Sequence, residues 1–109
     1  MDTLELKSDI VSSINSEFPN KGEALIEKGV DFEEEPAHLS VFVIQSPLKP
    51  FELYEKAKGN KSGISLNELR QVGMVITDVA KEYGYGCEFD ETDEPNSWTG
   101  RSKIYVIHE

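Results

Sequence analysis

The stretch ISLNELRQVGMVITDVAKEYG, residues 64–84, predicts the helix around which the fold is built. Ser65 and Glu68 have the spacing of a capping box, and Ile64 and Leu69 occupy the positions of the hydrophobic staple that accompanies it. Gly84 ends the pattern, because glycine adopts the left-handed backbone that closes a helix. We therefore expect a helix over 65–83 whose apolar face packs against a sheet, formed by Leu69, Val72, Gly73, Ile76, Val79, Ala80 and Tyr83.

Two strands are expected after this helix. Tyr85, Cys87 and Phe89 alternate with glycine or acidic residues, a pattern typical of a strand with one buried face. Residues 90–97 follow as an acidic loop, and residues 101–107 predict a closing strand that is apolar on both faces over 104–107.

The sequence before the central helix predicts another helix and a strand. Residues 3–18 carry an apolar residue at every fourth position, which is typical of an amphipathic helix. Residues 39–45, LSVFVIQ, are the clearest strand; they are apolar on both faces, which favours a central place in the sheet. Residues 34–36 would connect this strand to the one before it, so that the two form a hairpin.

Two further segments are less regular. Residues 23–33 alternate apolar and charged side chains, which favours a strand with a bulge near Gly29. The alternative is that GEALIEKG is a short helix ended by Gly29. Pro50 suits the first turn of a short helix that continues to about residue 58.

These elements predict a single α+β domain over residues 1–109. Their order is helix, strand, strand, short helix, helix, strand, strand. That order favours a mainly antiparallel four-stranded sheet with the helices packed on one face.

The charge of the chain limits its partners. It contains 21 Asp and Glu against 11 Lys and Arg, a net charge of −10 in 109 residues. Such a surface repels nucleic acid and anionic membranes and attracts basic proteins. The amino terminus lacks the features of a secretory signal, no apolar run is long enough to span a bilayer, and the one cysteine suits a reducing compartment. We therefore expect a cytoplasmic protein.

The sequence predicts neither catalysis nor a bound cofactor. Cys87 points inward on its strand, where a free cysteine behaves as a small apolar residue. His38 and His108 end two different strands, and they would meet only if those strands were neighbours. The acidic loop 90–96 lacks the glycine and the alternation of a calcium-binding loop, and one cysteine with two distant histidines gives poor support for zinc. We expect no metal site.

Nine of the acidic residues form two runs, and Trp98 follows the second. Under the predicted topology each run lies in a connection between sequential strands, and hairpin connections at the same end of the sheet would place both runs on a single acidic rim. Such a rim would steer a cationic partner toward an aromatic anchor. The candidate partner-binding residues are Asp31, Glu33, Glu34, Glu35, Glu88, Asp90, Glu91, Asp93, Glu94 and Trp98.

The favoured function is a non-enzymatic binding protein that inhibits a basic, nucleic-acid-handling partner by mimicking the charge of DNA. An immunity protein against a nuclease toxin and a phage-encoded inhibitor of a defence nuclease fit equally well. An adaptor or secretion chaperone for an apolar client segment is the alternative, and a small-molecule enzyme is less favoured. The sequence leaves the oligomeric state open.

Overall fold

Three helices and a four-stranded sheet form the part of the chain that the computed structural model describes, residues 1–46, 62–93 and 101–109. The α+β class predicted from the sequence is confirmed. The elements in chain order are α1 (Thr3–Glu17), α2 (Gly22–Gly29), β1 (Val30–Glu34), β2 (His38–Ile44), α3 (Leu66–Glu82), β3 (Gly86–Asp93) and β4 (Arg101–His108).

The sheet consists of two hairpins joined side by side. Strand order is β1-β2-β4-β3, and every neighbouring pair is antiparallel. The two central strands are therefore β2 and β4, the two that the sequence marks as apolar on both faces. A central strand is paired on both sides and is covered by helices on one face, so few of its side chains are exposed to water.

Helix α1 forms as predicted. The Asp2 carboxylate accepts a hydrogen bond from the Glu5 backbone N–H at 3.1 Å and so caps the first turn. Leu6, Ile10 and Ile14 are fully buried, because their four-residue spacing places them on one side of the helix. That side packs against α3 and against the first hairpin.

The strand predicted over residues 23–33 is wrong for its first part. Residues Gly22–Gly29 form α2, and only Val30–Glu34 are extended. Gly22, Leu25 and Gly29 are the buried residues of the helix, and their spacing is helical rather than alternating. Gly29 lies so close to its neighbours that an added Cβ would be 2.9 Å from the Ile64 side chain. The alternative of a short helix ended near Gly29 is therefore the correct one.

Helix α3 confirms the central prediction. Ser65 is its N-cap, and the face that the sequence marks as apolar is buried from Leu69 to Ala80. Gly73 lies under the hydroxyl of Tyr105 from β4, so that the helix and the strand approach closely. A side chain at residue 73 would occupy the space of that hydroxyl.

Strand β3 is longer than predicted. It continues to Asp93, so that Asp90, Glu91 and Asp93 belong to a strand paired with β4 and not to a loop. The sequence suggests a loop because acidic residues rarely favour strands, but each residue here pairs with a partner in β4. The short helix predicted from Pro50 lies outside the described residues. No helix in the described ranges has both the length and the apolar character needed to cross a membrane.

Candidate functional site

The two faces of the sheet differ in what covers them. Side chains alternate between the faces along each strand, and directly paired residues share a face. One face meets the helices, and its central residues belong to the hydrophobic core together with α1 and α3. These strand residues are Val30, Leu39, Val41, Val43, Tyr105 and Ile107.

The opposite face, which we call the outer face, contains two complete rows of paired residues. One row runs across the four strands as Glu33, Ser40, Val106 and Glu88.

The next row also crosses all four strands. It runs as Asp31, Phe42, Ile104 and Asp90, so that each row begins and ends with an acid. We call the four central residues (Ser40, Phe42, Ile104, Val106) the floor, and the four acids (Asp31, Glu33, Glu88, Asp90) the acidic borders.

The floor lies apart from the hydrophobic core. Phe42, Ile104 and Val106 are half-buried, and Ser40 is 8% exposed. In the described part of the chain, none of the three apolar floor residues belongs to the core cluster that the helices form with the sheet. The border acids are exposed. The outer face therefore presents a narrow apolar strip between two lines of carboxylates.

Charge is segregated between the two sides of the sheet. Each lysine or arginine whose side chain the structure describes lies on or beside a helix or on the helix-facing side of the sheet: Lys7, Lys21, Lys28, Arg70, Lys81 and Lys103. Acids on that side have basic neighbours, as where Lys7 Nζ lies 3.0 Å from Glu34 Oε1. Each border acid of the outer face adds negative charge to a surface with no described lysine or arginine.

Local polar contacts orient Asp90 and Glu88. The Glu91 backbone N–H donates to Asp90 Oδ1 at 2.8 Å, which fixes the orientation of that carboxylate. His108 Nε2 lies 3.8 Å from Glu88 Oε1, so that a protonated His108 would form an ion pair at one end of the border.

The expectation that both acidic runs share one rim is wrong. His38 pairs with His108, whereas Ile44 pairs with Ser102, so β2 and β4 run in opposite directions. The connection between β1 and β2 therefore lies at one end of the sheet, and the connection between β3 and β4 lies at the other. A common rim would have required parallel central strands. Four of the acids instead share the outer face, two on each edge strand.

The predicted site residues are thus divided among several places. Glu34 and Glu91 lie on the helix-facing side of the edge strands, Glu35 lies at the first turn, and Asp93 pairs with Arg101 at the far end of β3. Glu94 and Trp98 lie outside the described residues. The structure places Asp31 and Glu33 on one edge of the outer face and Glu88 and Asp90 on the opposite edge.

Sequence reasoning missed the floor. Its signal was present, because residues 41–44 and 104–107 are apolar on both faces and a strand covered by helices on one face needs only one apolar face.

The cysteine and the histidines lie on opposite sides of the sheet. Cys87 pairs with Ile107 and faces the helices, and burial raises the pKa of its thiol, which opposes formation of a thiolate. His38 and His108 are direct neighbours on the outer face, one row beyond Ser40 and Val106, and the His108 ring lies over Gly86. Within the described ranges, no group of three or more His, Cys, Asp or Glu residues could hold a metal ion.

The chain matches no model of a protein family, no curated protein and no solved structure.

Proposed function

We propose that this protein is a non-enzymatic binding protein that inhibits a basic, nucleic-acid-handling protein by covering its nucleic-acid-binding surface. The observation that supports this function is the outer face: an apolar floor between two acidic borders. Carboxylates at fixed spacing compete for the Lys and Arg side chains that would otherwise contact phosphates.

The two parts of the outer face have different roles in this proposal. The acidic borders steer a cationic partner and raise the rate of association. The floor supplies surface that loses its water on contact, and such surface slows dissociation. Two settings suit this activity equally, immunity against a nuclease toxin and inhibition of a bacterial defence nuclease by a phage protein.

Protection of the sheet edges is another use for charge on β1 and β3. Exposed edge strands pair with other chains, and charged side chains discourage that pairing. Lysine is favoured for this purpose, whereas the described outer-face charges at these edges are Asp31, Glu33, Glu88 and Asp90, all acidic. A single sign on both edges favours recognition of a cationic partner.

The test is inhibition of a purified basic nuclease: the product of a neighbouring gene for the immunity setting, and a defence nuclease of the host for the phage setting. The variant D31N/E33Q/E88Q/D90N removes the acidic borders, and E17Q/E27Q/D78N/E82Q removes the same amount of charge from exposed helix positions. At about 0.1 M salt we expect the border variant to associate at least tenfold more slowly, the lower end of the range for electrostatic steering. The helix variant should associate nearly as fast as the wild-type protein.

Two outcomes would contradict the proposal. Equal slowing by both variants would mean that only the net charge attracts the partner. Failure of the wild-type protein to inhibit either nuclease would remove inhibition as its function.

The apolar floor also supports the adaptor function as a second candidate. An adaptor would hold an apolar client segment on Phe42, Ile104 and Val106, and its association would not depend on salt. Salt-independent binding that the border variant leaves unchanged, and that Phe42→Ser abolishes, would favour this candidate.

A further inference from the structure

We propose that the outer face receives one α-helix of the partner, lying along β2 and β4, with an apolar base on the floor and basic residues on both flanks. This inference rests on the proposed function and names the element of the partner that the site binds. It follows from the width, the length and the charge pattern of the face.

The width of the face suits a helix. The acidic borders lie on β1 and β3, which are three strand spacings apart, or about 14 Å. An α-helix with its side chains is about 10–12 Å across, so it fills the floor and reaches both borders. A single extended segment directs alternate side chains away from the sheet and is too narrow to contact both borders at once.

The spacing along the strands also suits a helix. The two acids of each border are two residues apart in a strand, which is about 6.8 Å. Residues four apart in a helix rise by about 6 Å and lie on one side. Lys or Arg at positions i and i+4 on each flank would therefore face both acids of the nearer border. Two to three turns of helix are long enough for this contact.

The charge pattern indicates which helix of the partner binds. A helix that reads DNA in the major groove lies in a channel about 12 Å wide with phosphates on both sides. The outer face has anionic borders on both sides of a helix-wide floor. A helix that is basic on both flanks to suit the groove would have the charges that the borders require. The partner could not then hold nucleic acid and this protein on the same helix.

The experiment uses two synthetic peptides of about 15 residues and identical composition. The amphipathic peptide has Leu along one side, Lys on both flanks and Ala elsewhere, and the scrambled peptide has the same residues without that order. In about 0.15 M salt we expect the amphipathic peptide to bind at least tenfold more tightly. Its addition should shift the amide NMR signals of the floor residues and leave those of α1 unchanged.

Variants of the floor test the apolar contact separately from charge. I104S/V106S keeps every border acid and should weaken binding of the amphipathic peptide about tenfold or more. Met74→Ser changes a side chain of α3 that is 65% exposed and should leave binding unchanged. A fall in Tm of more than about 10 °C in the floor variant would mean that the chain itself covers the floor, which would overturn the proposal.

The remaining outcomes separate this inference from the proposed function. Equal binding of the two peptides, or binding of neither, overturns the helix proposal, whereas charge-dependent inhibition of the nuclease would still stand. Binding of the amphipathic peptide to the floor without inhibition of the nuclease supports the helix site and overturns the inhibitory function.

Discussion

Ser65 and Glu68 close the first turn of α3 from both directions. The Glu68 backbone N–H donates to Ser65 Oγ at 3.4 Å, and the Ser65 hydroxyl donates to Glu68 Oε1 at 2.6 Å. Lys21 Nζ from the loop before α2 lies 3.4 Å from Glu68 Oε2. The hydrogen bond from Ser65, followed by the contact with Lys21, lowers the pKa of the Glu68 carboxyl. These two residues therefore fix the start of the helix, and Glu68 also contacts the residue that precedes α2.

Replacement of Ser65 tests the cap. Ser65→Ala should lower the free energy of unfolding by about 1 kcal/mol, the usual effect of losing an N-cap side chain. Ser12→Ala is the matched control, because Ser12 is exposed within α1 and alanine favours a helix interior. Urea unfolding at pH 7 measures both, and an equal change in the two variants would contradict the role of Ser65 as a cap.

The lowered pKa of Glu68 predicts a pH dependence. A carboxyl whose pKa is lower in the folded state stabilises the fold above its ordinary value of 4.5, and that contribution is lost as the pH falls through the folded value. Glu68→Gln should therefore destabilise the protein at pH 7, and the difference from wild type should shrink below pH 4.5. A difference that stays constant across this window would exclude the ionised carboxylate as its cause.

Substitution of Cys87 and of the two histidines tests the proposal that the protein is not an enzyme. Cys87→Ala, His38→Ala and His108→Ala should each leave inhibition of the nuclease unchanged, since no step of the proposed function uses a nucleophile or a base. The measurement is nuclease inhibition by each variant after its folding is verified by circular dichroism. Loss of inhibition in folded Cys87→Ala, whose changed side chain faces the helices and not the outer face, would favour an enzyme instead.

At the scale of elements, α3 links α1 to three strands of the sheet. It packs on α1 and on β2, β3 and β4, and Ile76 at its centre is fully buried. Gly73 in the same helix gives space to the Tyr105 hydroxyl, and burial raises the pKa of that phenol. Packing between α3 and the sheet thus needs a large side chain at residue 76 and no side chain at residue 73.

The buried face of α3 predicts a large effect of truncation. Ile76→Ala should destabilise the protein by about 2–5 kcal/mol, because it removes apolar contacts and leaves a cavity. Met74→Ala, on the exposed side of the same helix, should change stability by less than about 0.5 kcal/mol. Similar losses in the two variants, measured by denaturant unfolding, would mean that the helix is placed wrongly on the sheet.

The contact between Gly73 and Tyr105 can be tested by a double mutant. Gly73→Ala should destabilise by about 1–3 kcal/mol, since its methyl group would displace the Tyr105 hydroxyl. Removal of that hydroxyl in G73A/Y105F should recover part of the loss, and Tyr105→Phe alone is the control. A double mutant whose loss equals the sum of the two single losses would show that the residues do not interact.

The elements predictable from the sequence are those whose periodicity and capping agree. In α1 and α3 the apolar spacing and the caps at Asp2 and Ser65 point to the same boundaries, and β2 and β4 have continuous apolar runs. In residues 23–33 the apolar residues fit both periods, and packing of Gly29 against Ile44 and Ile64, which are distant in sequence, decides for the helix. The full length of β3 depends on pairing with β4, which no local pattern contains.

At the scale of the whole molecule, the net charge of −10 acts on stability as well as on partners. Like charges repel in the compact state, and salt screens that repulsion. The charge of the candidate site was predictable from composition. Its location was not, because the direction of β4 relative to β2 determines which acids share the outer face.

Salt should therefore stabilise the protein. An increase from about 0.05 M to about 0.5 M NaCl should raise Tm by several degrees, since it shortens the screening length several-fold. The variant D31N/E33Q/E88Q/D90N should have a higher Tm at low salt and a smaller response to salt. The variant E17Q/E27Q/D78N/E82Q should change less, because its acids lie on the side with the described basic residues. A Tm that falls with salt would indicate that attractive ion pairs dominate instead.

The antiparallel pairing of β2 and β4 gives the outer face an approximate twofold symmetry. A half-turn about an axis through the Val41–Tyr105 pair exchanges the two hairpins. It places Glu33 on the position of Asp90 and Asp31 on the position of Glu88, so the acidic borders are the same in both directions. Charge alone therefore cannot set the polarity of a bound helix.

The floor breaks this symmetry. The half-turn exchanges Ser40 with Ile104 and Phe42 with Val106. The side chains at these related positions differ: a hydroxyl replaces a branched aliphatic chain, and an aromatic ring replaces a smaller side chain. Whether the amino terminus of a bound helix points toward His38 or toward Ile44 would then depend on these four floor residues. Exchange of serine and isoleucine between residues 40 and 104 would reverse the asymmetry of that pair, and should therefore shift the preferred direction of binding.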